Sequence, residues 1–274
     1  MICDYPGAYS LTEKERKRLC HKSIIVFDTD TLEAIMDLSD SDFSDLIYIL
    51  KKSKVLKRLW LPQDVEYAYF HNLTPGCNDS KMEIFFDLIS PKQIGRGYNK
   101  AQLAYLYTRG QERYDKHIPP GLVGGESDKR IYFHDYLIWK EMQAYAGRKN
   151  RDILFVKKIL DERWFEQING KVYTNHNIAN EFFAKTKKDF NKTRGLRFVG
   201  ISIMRLFDLC DSQVSHESLM TKNVNCAFIS ILHFKKQDTN KSESENQNSI
   251  KFVDKNIQSG HSGSAKAQTF TSTT

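Results

Sequence analysis

The 274-residue chain is notable first for what it lacks. No run approaches the ~18 consecutive apolar residues that a bilayer-spanning helix needs. The opening residues, Met1 to Pro6, show no basic stretch ahead of an apolar core, so no secretory signal is expected. The five cysteines, Cys3, Cys20, Cys77, Cys210 and Cys226, are odd in number and scattered, with no pair at zinc-ligand or redox spacing. Reduced thiols in a cytoplasmic protein are the expectation. There is no His-x-x-x-His pair, no glycine-rich phosphate loop and no Ser or Cys nucleophile motif. These absences argue against zinc hydrolases, P-loop enzymes and triad hydrolases. No internal repeat is present.

The formal net charge is +7, which favours an anionic partner weakly. From Lys235 onward six lysines face four acids, so +2 of that charge lies in the last 40 residues and +5 in the body. The composition shifts there to Ser, Thr, Asn, Gln and Lys, with too little apolar surface to offset ordering entropy. One domain over 1–234 and a disordered low-complexity tail over 235–274 is the expected organisation.

Within the body, short apolar runs alternate with helical patterns. Ile24 to Phe27, Leu59 to Leu61, Ile153 to Val156, Leu196 to Ile201 and Cys226 to Phe234 read as strands. Phe43, Leu46, Ile47 and Leu50 lie at i, i+3, i+4 and i+7 and predict an amphipathic helix over 42–52. Further helices are expected near 12–19, from Pro62 to Asn72, and over 81–88, 102–107, 135–146, 178–188 and 202–209. Gly147 is the expected C-cap of the helix over 135–146. Such alternation predicts an α/β fold, a mainly parallel sheet covered on both faces. Between Gly95 and Gly125, Tyr98, Tyr105, Arg109, Arg113 and Tyr114 interleave. Such residues can stack bases and pair phosphates; the plainer and preferred reading is a solvated helix whose tyrosines pack on the core.

The candidate chemistry lies in carboxylates at strand ends, where ligands bind in open α/β sheets. Asp28 closes the strand Ile24 to Phe27 and leads into Thr29-Asp30-Thr31. Asp135 opens the helix before the strand Ile153 to Val156. Two such carboxylates at one sheet edge share a divalent cation readily. The plainer alternatives are a surface turn for Asp28, helix caps for Asp30 and Asp135, and surface acids for Asp161 and Glu162. Trp139 and Trp164 read as core. For His134, proton transfer stands beside a surface or capping role.

The ordered set of Val26-Phe27-Asp28-Thr29-Asp30, Leu59-Trp60-Leu61-Pro62, Ile118-Pro119-Pro120-Gly121, His134-Asp135-Tyr136-Leu137-Ile138-Trp139-Lys140 and Ile153-Leu154-Phe155-Val156 with Arg163-Trp164-Phe165 resembles the PIN-like nuclease family, in its bacterial branch with a helical insertion. The resemblance implies a three-layer α/β sandwich. It also implies a metal-dependent endoribonuclease acting on RNA, single-stranded in particular. Its carboxylates would hold Mg²⁺ or Mn²⁺ to activate water against phosphorus. Asp28 and Asp135 correspond to two of the family's catalytic metal ligands, and Asp30 to the supporting residue beside the first.

Several family positions differ here. Ala68 stands where the second-motif Glu is expected, with Glu66 two residues earlier. Gly124 replaces a common acid, with Glu126 and Asp128 nearby. Lys157 and Lys158 follow the strand where acids are usual, and Arg163 replaces an Asp. Glu66, Asp161 and Glu162 are the possible substitutes, and Lys157 and Lys158 become candidate phosphate-binding residues. The alternative is a catalytically inactive RNA-binding or protein-interaction module on the same fold.

Overall fold

The structure is a computed structural model, and it describes residues 18–19, 21–72, 79–121, 128–189 and 195–206. These all fall within one compact unit, Met1–Phe228. The expected tail, the strand over 226–234 and most of the helix over 12–19 lie outside the described residues.

Three parallel strands form the sheet in the order β1 (Ile24–Phe27), β2 (Ile153–Lys157), β5 (Phe198–Ser202). Every residue of β1 and β2 is buried, as expected of parallel strands covered by helices. The register sets Phe27 beside Val156 and Lys157 beside Ser202, so all three strands end at one edge. Beyond β1 the segment Leu59 to Leu61 adds only isolated parallel bridges, Ile25 with Leu59 and Leu61 with Ile94. The expected strand there is cut short because Pro62 has no N–H to offer a ladder. Among the described residues a two-stranded antiparallel hairpin, β3 (Phe165–Ile168) and β4 (Lys171–Thr174), completes the strands. Its turn is Asn169-Gly170, both with positive φ (50° and 73°), a two-residue hairpin signature absent from the strands expected above.

The helices are α1 (Thr29–Met36), α2 (Asp40–Lys52), α3 (Gln63–Asn72), α4 (Asp79–Asp87), α5 (Lys100–Asp115), α6 (Lys129–Tyr132), α7 (His134–Lys149) and α8 (His176–Asp189), with a further turn over 203–206. Ser39 caps α2 by accepting from the Asp42 N–H at 3.1 Å, and Phe43, Leu46, Ile47 and Leu50 are buried as their spacing predicts. α5 is longer than the expected 102–107: Asn99 and Gln102 form a capping box that starts it at Lys100, and it runs on to Asp115. α7 does not end at Gly147, which is buried inside it; Asn150 takes the left-handed turn at φ 53°.

The core gathers around Trp139, Trp164, Phe155, Phe182 and Phe198. Trp139 meets Phe198 edge-on at 5.1 Å between centroids, and Phe155 lies 4.7 Å from Trp164. Both tryptophans are fully buried. Fixed by these rings, α7 and the β2–β3 connection present their polar ends at the sheet edge.

Candidate functional site

Asp28 directly follows β1 and is 3% exposed, so it is no surface turn residue. Its N–H is fixed by the Val156 carbonyl at 3.0 Å, which continues the strand register to the site. The carboxylate meets the ammonium of Lys157, the last residue of β2. The same Nζ lies 3.6 Å from Asp30 Oδ2 and 3.6 Å from Asp161 Oδ2. Lys157 is 2% exposed, so three carboxylates surround one buried cation.

Asp30 sits in the first turn of α1 but does not cap it. Its two oxygens accept the backbone N–H groups of Lys158 at 3.1 Å and Ile159 at 3.0 Å, pinning the chain as it leaves β2. Asp135 is likewise not a cap, since Phe133 holds that position. Its oxygens take Trp164 Nε1 at 3.2 Å and Arg163 Nη1 at 3.1 Å. Arg163 also grips Asp161, with Nη2 3.0 Å from Oδ2. His134 Nε2 lies 3.6 Å from Asp28 Oδ1 and 3.3 Å from the Thr29 hydroxyl.

Charge balance explains the protonation states. Burial pushes the Asp28 carboxyl up, but Lys157 and His134 beside it hold it far below the usual carboxylate range. Burial and the like charge of Asp28 raise Asp30 against the pull of Lys157. Burial alone would lower Lys157; Asp28, Asp30, Asp135 and Asp161 together raise it well above an ordinary lysine. Asp135 foremost raises Arg163, with Asp161 adding to it against burial. His134 is raised because its contact with Asp28 outweighs burial.

Four carboxylates thus share two resident cations, Lys157 and Arg163. The expected sharing of a free ion between Asp28 and Asp135 is replaced by a separate basic partner for each. Lys157 does not face outward toward a phosphate either, because its ammonium is turned onto the acids. Lys158 is buried, and its backbone serves Asp30. Of the three possible substitutes only Asp161 joins the cluster. Glu66 is half-buried on α3 and Glu162 is exposed; neither bonds to Asp28, Asp30 or Asp135. Ala68, where the family Glu is expected, is buried. Among the described residues no group of three or more His, Cys, Asp or Glu is arranged to hold a metal ion. The donor set present does not fit a Mg²⁺ or Mn²⁺ centre while Lys157 stands in it, because a divalent ion needs the same oxygens.

Two neighbours escaped the sequence reading. Asp64, 1% exposed in the first turn of α3, pairs with Arg130 Nε at 2.5 Å, and Arg130 stacks on Tyr67 at 4.1 Å. An acid two residues after Pro62 was the available signal. Glu141, on α7 and 5% exposed, accepts the Gln63 N–H at 3.0 Å and the Gly97 N–H at 3.2 Å. Its reach to residues 44 and 78 positions away left no local trace. Burial, then the nearby Asp64 charge, pushes its carboxyl up to about 7. Asp128 caps α6 through the Arg130 and Ile131 N–H groups, and Gly124 and Glu126 lie outside the described residues. The tyrosine and arginine stretch divides between its two readings. Tyr114 is buried and Arg113 pairs with Glu181 at 2.8 Å, whereas Tyr105 is exposed.

A family model described as PIN like domain matches residues 77–182, which include Asp135, Lys157, Asp161 and Arg163 but not Asp28 or Asp30. The match supports a PIN-like domain, and the parallel sheet flanked by helices is the α/β architecture expected of one. No curated protein and no solved structure matches the chain.

Proposed function

We propose that this chain is a PIN-like module that binds RNA without cutting it, its acidic edge neutralised from within by lysine. One observation carries the reading: the Lys157 ammonium lies on Asp28, with Asp30 and Asp161 each at 3.6 Å. In the family's chemistry a hydrated divalent ion would use these oxygens to activate water. An ammonium neutralises the acids but is no Lewis acid and carries no water to attack phosphorus. RNA as partner rests on the family resemblance and on the +7 charge. A cytoplasmic location goes with it; among the described residues no helix is long and apolar enough to cross a membrane.

A second reading, a weakened metal-dependent endoribonuclease, is favoured by the gathering of four carboxylates at one edge. Titration calorimetry with Mn²⁺ and a cleavage assay on single-stranded RNA separate the two, with Asp28→Asn as control. The non-cleaving module binds RNA, shows no Mn²⁺ heat and leaves the strand intact. Mn²⁺-dependent cleavage that Asp28→Asn abolishes would establish the enzyme.

A further inference from the structure

A second site lies along α7 from the acid cluster. Asp135 and Tyr145 are ten residues apart on one helix, roughly 15 Å at 1.5 Å per residue. There the edge segment near Trp60, the stretch from Pro91 to Tyr98 and the last two turns of α7 enclose an open pocket of about 880 Å³. That is within the roughly 300–1,000 Å³ of small-ligand sites.

The lining is amphipathic. The half-buried Tyr145 forms the apolar wall with Ile94 and Ala144, and the buried Trp60 backs it, stacked flat at 4.0 Å between centroids and 5° between planes. Around it stand four exposed cations, Lys92, Arg96, Arg148 and Lys149. None of the four pairs with a carboxylate among the described residues, in contrast to Lys157, Arg163, Arg130 and Arg113. Arg148 and Lys149 only approach the Tyr145 ring, at 5.9 and 5.6 Å. The single acid in the wall is Glu141, whose oxygens are already taken by the Gln63 and Gly97 N–H groups. Gly95 lets the chain pass so close that any side chain there would strike this carboxylate.

A phosphate alone would satisfy the cations but leave the apolar wall wet, and an apolar ligand would leave the cations unpaired. A nucleotide carries both parts: an aromatic base for the wall and a phosphate for Arg96, Arg148 and the lysines. We propose that this pocket binds a single nucleotide unit, either a free mononucleotide or one unpaired residue of an RNA strand. The strand source rests on the RNA-binding reading above; the free nucleotide does not.

The test uses the full chain and two probes, a fluorescein-labelled single-stranded oligoribonucleotide by anisotropy and AMP by calorimetry. The pocket variant is Arg96→Glu with Arg148→Glu, both exposed. The control is Lys51→Glu with Lys52→Glu on α2, also exposed and outside the pocket lining. Circular dichroism confirms that both variants fold. The expected result is at least tenfold weaker binding of whichever probe the wild type takes, in the pocket variant alone. Loss of RNA binding with AMP never bound identifies the strand as the source. AMP binding lost in the pocket variant, with RNA never bound, supports the pocket and removes the RNA-binding reading. RNA binding unchanged in the pocket variant with no loss of AMP binding, or binding weakened equally in the control, overturns the pocket and leaves that reading standing. Binding of neither probe overturns both.

Discussion

Lys157 and Asp28 end two neighbouring parallel strands, and their side chains form a buried ion pair across the strand ends. Both are almost fully desolvated, with exposures of 2% and 3%. Removing one partner of such a pair costs about 3–5 kcal/mol, because the other charge is left buried alone.

Lys157→Ala should therefore destabilise the domain by about that amount in chelator. Asp28, Asp30 and Asp161 would then surround a cavity with no cation in it. Mn²⁺ should recover part of the lost melting temperature in the variant and leave the wild type unmoved. Thermal melts with and without Mn²⁺ read this out; equal responses in the two proteins would refute the assignment of Lys157 as the resident counter-ion.

His134 should titrate above its ordinary 6.5, because Asp28 favours the imidazolium more strongly than burial opposes it. A raised folded pKa contributes stability that is complete below the unfolded value and is lost as pH rises through the folded one. Nitrogen-detected NMR of the ring should show the midpoint falling in Asp28→Asn. A midpoint that stays in place would separate the two residues.

Glu141 carries the same sign. Its folded value of about 7 exceeds the 4.5 of an ordinary Glu, so the folded state binds the extra proton between those limits. Stability should fall as pH rises from about 4.5 to about 7. Glu141→Gln cannot titrate, so the wild type should lose stability relative to it across that window. Chemical denaturation at pH 5 and pH 8 measures the difference; a constant gap would show that Glu141 is not the titrating group.

Ala68→Glu, which writes the family acid back onto α3, should not by itself create a metal site. Ala68 is 3% exposed, and an unpaired carboxylate buried there costs several kcal/mol. The expected result is a lower melting temperature with no Mn²⁺ response. Lys157→Ala is the companion change that frees oxygens for an ion. A single Ala68→Glu variant that binds Mn²⁺ in calorimetry would contradict this.

The sequence displayed those features that depend on neighbours in the chain. The apolar run Ile24 to Phe27, the i, i+3, i+4, i+7 spacing in α2 and the acid opening α7 are local patterns, and the structure has each. Asp28, Asp30 and Asp135 were legible for the same reason, as acids at element ends. Their partners were not. The distance from Asp28 to Lys157 is 129 residues, and whether a lysine at a strand end turns inward depends on which acids the neighbouring strand brings to it. Glu141 was hidden similarly, since its partners at Gln63 and Gly97 reach it only after α3 and α7 pack. The short edge at Leu59 to Leu61 shows a local signal, Pro62, overriding an apolar run.

The lysine at the end of β2 also sets what the domain needs from its surroundings. A bound ion exchanges with solvent and can be stripped by a chelator or outcompeted by another metal. An ammonium tied to the backbone cannot leave. On the non-cleaving reading proposed above, the acids of this edge keep their neutralising charge in metal-starved medium, and the architecture around Asp28 does not depend on the supply of magnesium or manganese.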